Sequence, residues 1–369
     1  MGNNFLGEHR IKRKVVSILL GMCMFFMFIF GGCYMLFMHT IGKLNYVPDP
    51  GQIVINGNYV EEKNYDPITI MDNNGKIEEI QPASPEKVAE IKQNIWNNIH
   101  NGAEKRSSEE VTNILLIGVD KRDESFPGNS DSMILVSANR AKKTVTMTSF
   151  LRDLYVGIDG MDTYKLNAAH AIGGAPLLVK VIEDNFKIDI DYYVSVDFQG
   201  FEAVINILGG VPMEITEEEQ IKANEYIRGM NVAAGLEVNT EILNSYGSLV
   251  LTGKQALGYA RIRSLAGADF QRSNRQRRVL GAVLESARSA SFLDITSIAN
   301  QVAQYVVYNI PRENFMELLM EIPDFFSYQW TSERIPYDGF YEHYNIGGQG
   351  MLVPKWQETI NQLQTRLYD

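Results

Sequence analysis

Residues 113–150 read NILLIGVDKRDESFPGNSDSMILVSANRAKKTVTMTSF, three apolar runs separated by two polar stretches. NILLIGVD is almost continuously apolar, and SMILVSANR and TVTMTSF are strand-like segments joined by the basic turn Asn139 to Lys143. The pattern predicts a three-stranded meander. With the turn centred near Ala141, positions pair when their numbers sum to about 282, which sets Asp131 opposite Leu151 and beside Arg152 at one sheet edge. Asp120 closes the first strand, and an antiparallel neighbour brings its end to the same edge.

Downstream, PLLVKVIEDNF places Leu177, Leu178, Val181 and Ile182 on one helical face. The strand DYYVSV, the helix FQGFEAVINIL and the strand GVPMEI follow. After a polar insertion around Ile221 to Ser248, TGKQALGYA reads as a helix, ARIR as a strand and RSNRQRRVLGAVLESA as a long helix. Two further helices are expected near Asp294 to Val307 and Arg312 to Phe325. Such mixing of strands and helices argues a layered α/β domain. Upstream, Gly42 to Thr112 is polar and Asn-rich, a stalk closed by one helix: Ser84, Pro85 and Glu86 form its start, and Val88, Ile91, Ile95 and Trp96 recur at helical spacing through Asn101.

Val15 to Phe37 runs 23 residues without a charge, about 34 Å as a helix, enough to span a bilayer. It is too long for the apolar part of a cleaved signal and lacks a small-residue cleavage site. Arg10, Lys12, Arg13 and Lys14 crowd its near side, whereas His39 and Lys43 are the basic candidates beyond it. The positive-inside rule therefore keeps the N-terminus cytoplasmic and everything after residue 40 outside. The chain carries a net charge of −11, and its first 14 residues carry +3, which leaves −14 on the remainder. Cys23 and Cys33 both fall inside the span, so the exported part has no thiol for a disulfide, a metal thiolate or a nucleophile.

Two carboxylates with no Cys or His beside them, Asp120 and Asp131, suit a hard cation such as Mg²⁺ that shares phosphate oxygens with a substrate, and Arg152 supplies a planar fork for phosphate. The alternative makes the aspartates turn and cap residues and pairs Arg152 with Asp153 or Asp131 on the surface; spacing alone leans that way. A stronger signal is YARIRSLAGADFQRSNRQRRV. There Arg261, Arg263, Arg272, Arg275, Arg277 and Arg278 against Asp269 make +5 over 18 residues of an acidic ectodomain. Arg261 and Arg263, at i and i+2, share one face of a strand, and Arg272, Arg275 and Gln276 recur at i, i+3 and i+4 on a helix. They suit a diphosphate clamp, whereas Arg277 and Arg278 read as a solvated face. Nucleic acid is disfavoured because the cluster lies outside the cell. Lys165 is a weaker phosphate contact, equally well an exposed cation beside an N-cap at Asn167. His170 has no partner at a catalytic spacing and reads as a structural helix residue. No G-x-S-x-G, H-E-x-x-H or P-loop is present. The stretches Leu177 to Phe186 and Phe198 to Leu208 read as core, though a lipid tail could slip between such helices and a sheet.

The segments NILLIGVD, NSDSMILVS, TSFLRDLYV, KLNAAHAIGG, IDYYVSVDFQGF, LGGVPMEI, LTGKQALGYARIR and DFQRSNRQRRVL together resemble the LytR-CpsA-Psr family of cell-wall ligases. The likeness runs from Asn113 to about Phe326, with a family-like helix after Pro354. It implies a three-layer α/β/α domain around a central mixed, largely antiparallel sheet, with one transmembrane helix before it. The boundaries are then a cytoplasmic head at 1–14, the span at 15–41, the stalk at 42–111, the catalytic domain at 112–328 and an extension at 329–369 ending in a helix. By motif position, Asp120 and Asp131 resemble the family's Mg²⁺-associated aspartates, which reverses the leaning from spacing alone. Arg152, Lys165, Arg261, Arg263, Arg272 and Gln276 resemble its pyrophosphate-binding groups, and Asp120, Asp131, Arg152, Arg261 and Arg263 form the expected catalytic set. The pattern departs at Asn129, where the family usually has Arg, at Leu151, where it has Pro, and at Gln271, where it has Gly.

The activity implied is Mg²⁺-dependent transfer of a glycopolymer (teichoic acid, capsule or a related polysaccharide) from a polyprenyl diphosphate at the membrane to peptidoglycan, outside the cell. A polyprenyl diphosphate hydrolase would use the same residues. A lipid-binding scaffold or a transcription attenuator are the non-enzymatic alternatives, the latter disfavoured by the short cytoplasmic head.

Overall fold

The computed structural model describes residues 77–120, 127–263, 268–288 and 305–369, with short pieces at 39, 42, 45–48, 53–55, 59, 69–71 and 301. In chain order these hold strands β1 (Asn45–Tyr46), β2 (Thr69–Met71) and β3 (Ile77–Glu79), then helix α1 (Pro85–Asn101). The meander follows as β4 (Val111–Asp120), β5 (Asn129–Asn139) and β6 (Thr144–Phe150), then the hairpin β7 (Tyr155–Gly157) and β8 (Thr163–Lys165). Next come α2 (Leu166–Phe186), β9 (Tyr192–Asp197), α3 (Phe198–Ile207), β10 (Val211–Ile215), α4 (Glu217–Ala233) and β11 (Gly247–Leu251). Helices α5 (Gly253–Ala260) and α6 (Ala268–Arg288) precede β12 (Val306–Tyr308) and α7 (Arg312–Ser327). Strands β13 (Gln329–Ile335), β14 (Tyr341–Ile346) and β15 (Gln349–Pro354) and helix α8 (Trp356–Tyr368) complete the chain. The proposed membrane span, residues 15–41, lies outside the described residues except for residue 39, and among the described residues no helix is long and apolar enough to cross a membrane.

The domain is mixed α/β with a central mixed sheet of order β1-β12-β9-β4-β5-β6-β13. The meander pairs as expected: Ile134 faces Ser149, a sum of 283, and β4 runs antiparallel to β5. The sheet is not largely antiparallel, however. Three of its pairings are parallel, β1 with β12, β9 with β4 and β6 with β13, because long connections carry α2 before β9 and α7 before β13. The C-terminal segment is thus no appendage, since Gln329 to Ile335 forms a sheet edge in register with Thr144 to Phe150.

Strand alternation divides the sheet into two faces. Leu115, Ile117, Val119, Met133 and Leu135 pack against Leu177, Leu178, Val181 and Ile182 of α2 and Leu363 and Leu367 of α8. Burying each Leu or Ile there contributes roughly 1.5–3 kcal/mol. Helix α2 begins earlier than Pro176, kinks at Gly173 and Gly174, and restarts with Pro176 in a first turn, where a missing N–H is tolerated. The opposite face lies under α3, α5 and α6, whose own core joins Ile205, Met213, Ala223, Tyr259 and Val279.

Three local expectations change. ARIR is not a strand: Arg261 N–H donates to Leu257 and Gly258 carbonyls and Ile262 N–H to Tyr259, so the helical turn of α5 runs into it. The polar insertion holds a 17-residue helix, α4, opened by a Thr216–Glu219 capping box. Val306 to Tyr308, expected as a helix end, is strand β12, and most of the stretch before it lies outside the described residues. In the stalk, Ser84 caps α1 with its hydroxyl accepting from Lys87 N–H at 3.2 Å, and Ile91 and Ile95 bury against Tyr155 and Met351.

Candidate active site

A single irregularity in the meander builds the site. Gly118 pairs with Ser132 and Val119 with Ser130, so Asp131 is the extra residue of a β-bulge. Regular alternation would turn Asp131 with Met133 toward α2. The bulge instead puts it beside Leu116, Gly118, Ser132 and Ile134 on the other face, where they floor a cleft of about 190 Å³. Gln276 holds the kinked backbone, donating from Nε2 to the Asp131 carbonyl at 3.3 Å.

Polarity in the cleft runs one way along every element. On α6, Arg272, Gln276 and Leu280 line it at i, i+4 and i+8, and on α5 Leu257 precedes Arg261. On β5, Asp131 precedes Ile134, while on β9 Val194 and Val196 lead to Asp197. One end is therefore apolar, closed by Phe201 and Leu280, and the other carries the charges, with Phe198 under Arg261 where the two meet.

At the charged end Asp131 meets Arg152 Nη1 at 3.4 Å and Arg263 Nη2 at 3.3 Å. Burial pushes its carboxyl up, and the guanidiniums of Arg272, Arg152, Arg263 and Arg261 outweigh that and hold it below the usual range. These contacts are long for charge-assisted bonds, so an arriving anion can take the guanidiniums over. Arg261 stacks its guanidinium 4.8 Å from the Phe198 ring centre, and Arg272 is only 3% exposed.

Lys165 and Arg152 share a second carboxylate. Asp153 accepts from Lys165 Nζ at 2.6 Å and from Arg152 Nε at 3.3 Å. Burial works against its charge, but Arg152 and Lys165 win and hold it to about 2. Sequence reasoning weighed Asp153 only as a surface partner of Arg152, yet both side chains are mostly buried. Lys165 closes β8 and stands before α2 without capping it, and the expected cap Asn167 instead gives its N–H to the Arg152 carbonyl.

The expected groups Asp131, Arg152, Arg261, Arg263, Arg272 and Gln276 all converge here. Three other arginines of the basic run do not. Arg275 is buried and donates to Glu219 Oε1 at 3.2 Å and the Ile262 carbonyl at 3.4 Å. Of the two expected on a solvated face, Arg277 is buried, whereas Arg278 is exposed as expected and is also engaged. Arg277 is 7% exposed, bonds Ser332 Oγ at 2.6 Å, and is pushed down to about 10 by burial and by Arg334. Arg278 binds the Tyr259 hydroxyl, Glu219 and the Glu214 carbonyl. Helix α6 is covered by β10 on one side and approached by β13 on another, and Gln271, Asn274, Arg278 and Glu285 keep an exposed face.

Asp120 ends β4 opposite Asn129, two positions from Asp131 along β5. Gly128 turns the chain back there with φ +81°, and a Cβ on it would meet the Asp120 carbonyl oxygen at 2.6 Å, so only glycine fits. His170, 6% exposed and held below its usual pKa by burial, donates from Nδ1 to the Gly128 carbonyl at 2.9 Å, the structural role expected of it. Among the described residues no group of three or more His, Cys, Asp or Glu surrounds a metal position. Two carboxylates at one edge beside several arginines fit the donor chemistry of Mg²⁺, which takes few protein oxygens and completes its shell with phosphate and water.

Residues 73–367 match the sequence model of the LytR_cpsA_psr family. The chain is 30% identical to the polyisoprenyl-teichoic acid–peptidoglycan teichoic acid transferase TagT of Bacillus subtilis (strain 168), over 69% of this chain and 76% of that one. It is 31% identical to TagU of Halalkalibacterium halodurans, which has the same descriptive name, over 71% and 79%. A solved structure of YwtF (TagT) with bound octaprenyl pyrophosphate lipid superposes with a TM-score of 0.54 and 28% identity, covering 71% of this chain and 95% of that one.

Proposed function

We propose, for a chain that belongs to the LytR-CpsA-Psr family, that this protein transfers a phosphate-linked glycopolymer, of the teichoic acid, capsule or related class, from a polyprenyl diphosphate to a peptidoglycan hydroxyl. The observation that carries the reading is the polarity of the cleft: one stripe of α6 passes from Arg272 through Gln276 to Leu280, from a diphosphate's chemistry to a prenyl chain's.

In this reading the prenyl tail enters between the sheet and α3, against Phe198, Phe201 and Leu280. Arg152, Lys165, Arg261, Arg263 and Arg272 hold the diphosphate, with Gln276 fixing the bulge beside it. The acceptor oxygen attacks the phosphorus bonded to the sugar, the bridging P–O bond breaks, and polyprenyl monophosphate leaves with the electron pair. The acceptor proton goes to solvent or a phosphate oxygen, since Asp131, held below its usual pKa by arginines, is a poor base. Phosphoryl transfer of this kind depends on charge neutralisation and alignment. Asp120 and Asp131 are the residues to hold Mg²⁺, which when bound would neutralise charge on the diphosphate oxygens. We also assign residues 15–41 to a single membrane span, which would tether the domain outside the cell at the surface where its lipid donor resides.

The test is binding. Leu280→Trp fills the apolar end and should weaken polyprenyl diphosphate binding at least about tenfold while leaving inorganic pyrophosphate unchanged. Unchanged lipid affinity in a folded variant would remove the cleft as the lipid site.

A further inference from the structure

A second, open groove of about 680 Å³ lies between β14 and the segment from Glu79 to Gln81. It is lined by Tyr341, His343 and Tyr344 together with Glu79, Gln81 and Glu342. The groove is built into the fold. Ala83 N–H donates to the Asn345 carbonyl at 2.8 Å, and Asn345 Nδ2 donates to the Ile80 carbonyl at 3.2 Å, so an isolated bridge from Pro82 to Asn345 ties residues 80–83 to the end of β14.

Its aromatic lining reaches the active site through α6. Tyr341 and His343 lie in ring contact at 5.2 Å, and Phe270 meets Tyr341 at 5.6 Å and His343 at 6.5 Å. Two residues on from Phe270, Arg272 lines the charged end of the cleft. Arg334 lies over the Phe270 ring at 4.5 Å, and β13 register sets Arg334 against Ser149, three residues before Arg152. Groove and cleft thus flank the same first turns of α6, on the sheet edge where Arg152 and Asp131 meet.

The chemistry is that of a neutral polyhydroxylated chain. Ring faces carry negative charge that attracts the slightly positive C–H hydrogens of a sugar's apolar face, and exposed carboxylate and amide groups accept or donate to hydroxyls and acetamides. Glu79 and Glu342 in the lining repel a polyphosphate. His343 is held below its usual pKa by burial, and the neighbouring cations Lys87, over the Tyr344 ring, and Arg334, beside Tyr341, are each paired with a carboxylate, Glu90 and Asp338. An anionic polymer is therefore disfavoured here, and a neutral sugar backbone is not.

We infer that the groove between β14 and residues 79–81 is the subsite that holds the acceptor glycan strand, an N-acetylhexosamine polymer, while its hydroxyl is presented to the diphosphate across the N-terminal turns of α6. The inference rests on the transferase reading for its purpose but not for its binding chemistry. Tyr341→Leu keeps apolar bulk and removes the ring face, and Tyr341→Phe restores the ring without the hydroxyl. With the full chain and uncrosslinked peptidoglycan strands as the probe, Tyr341→Leu should weaken strand binding about tenfold and raise KM for the strand by the same factor. Tyr341→Phe should restore both, and the lipid-donor KM and saturated kcat should not move. Strand binding by the wild type without any transfer would overturn the transferase reading and leave the groove standing. Wild-type strand affinity and KM in Tyr341→Leu, or no strand binding by the wild type, would overturn the groove.

Discussion

Asp131→Asn is the most informative single change, because it should act in opposite directions on two measurable quantities. The carboxylate is the counter-charge of Arg152, Arg261, Arg263 and Arg272. Without it Arg261, Arg263 and Arg272 lose that counter-charge, while Arg152 keeps Asp153. Breaking a fully buried pair costs about 3–5 kcal/mol; the Asp131 side chain is 18% exposed and that of Arg263 39%, at 3.3 Å, so a discounted loss of about 1–3 kcal/mol is appropriate. For a domain of this size that is a fall in Tm of roughly 2–12 °C. Inorganic pyrophosphate supplies the missing negative charge, so in chelator it should raise the Tm of the variant more than that of the wild type. Transfer in Mg²⁺ should nevertheless fall on the order of 100-fold, as when one group that stabilises transition-state charge is lost. Differential scanning fluorimetry with and without pyrophosphate, beside a rate assay, reads all three. An unchanged Tm with wild-type turnover, or weaker pyrophosphate stabilisation in chelator, would refute the reasoning.

The arginines divide by role. Arg263→Lys keeps charge but loses the planar fork, and should lower transfer on the order of 100-fold with little change in Tm. Arg278→Lys should instead lower stability by about 1–2 kcal/mol through lost bonds to Tyr259, Glu219 and Glu214, seen in urea unfolding, with kcat nearly intact. The reverse pattern would exchange their assignments. Asp153 has a depressed folded pKa, so its contribution is fully present above the unfolded value of 3.8 and fades as pH falls toward about 2. The stability gap between wild type and Asp153→Asn should be flat from about pH 5 to 8 and close below about pH 4; a gap that persists at pH 2 would rule out an ionic origin. A reporter enzyme active only outside the cell should function when fused after Asp369, and activity of a cytoplasm-only reporter there would reverse the topology.

The edge where Asp131 meets Arg152 is legible in the sequence because an antiparallel hairpin needs only its turn centre to set every pair, and the expected sum differs from the observed one by a single residue. The bulge that aims Asp131 is not legible: it is a mismatch between β4 and β5 that neither strand shows alone. ARIR misleads because alternating arginines have a strand's period, while the backbone there continues a helical turn. Helix α4 hides in a polar stretch because its buried stripe includes Asn224 and Asn231, whose amides hold the loop after it through the Leu243, Val238 and Thr240 carbonyls. For α6, periodicity identifies the Arg272, Gln276 and Leu280 stripe, but which of its other faces are covered depends on β10 and β13, which lie far from it in sequence.

The central claim is tested most directly by incubating the purified full-length protein with a polyprenyl-diphosphate-linked glycan, uncrosslinked peptidoglycan and Mg²⁺, and identifying the products by mass. The account predicts glycan joined to peptidoglycan through a phosphodiester, with one polyprenyl monophosphate released per bond formed. Release of polyprenyl monophosphate with free glycan phosphate and no joined product, under saturating acceptor, would contradict it and make the protein a hydrolase.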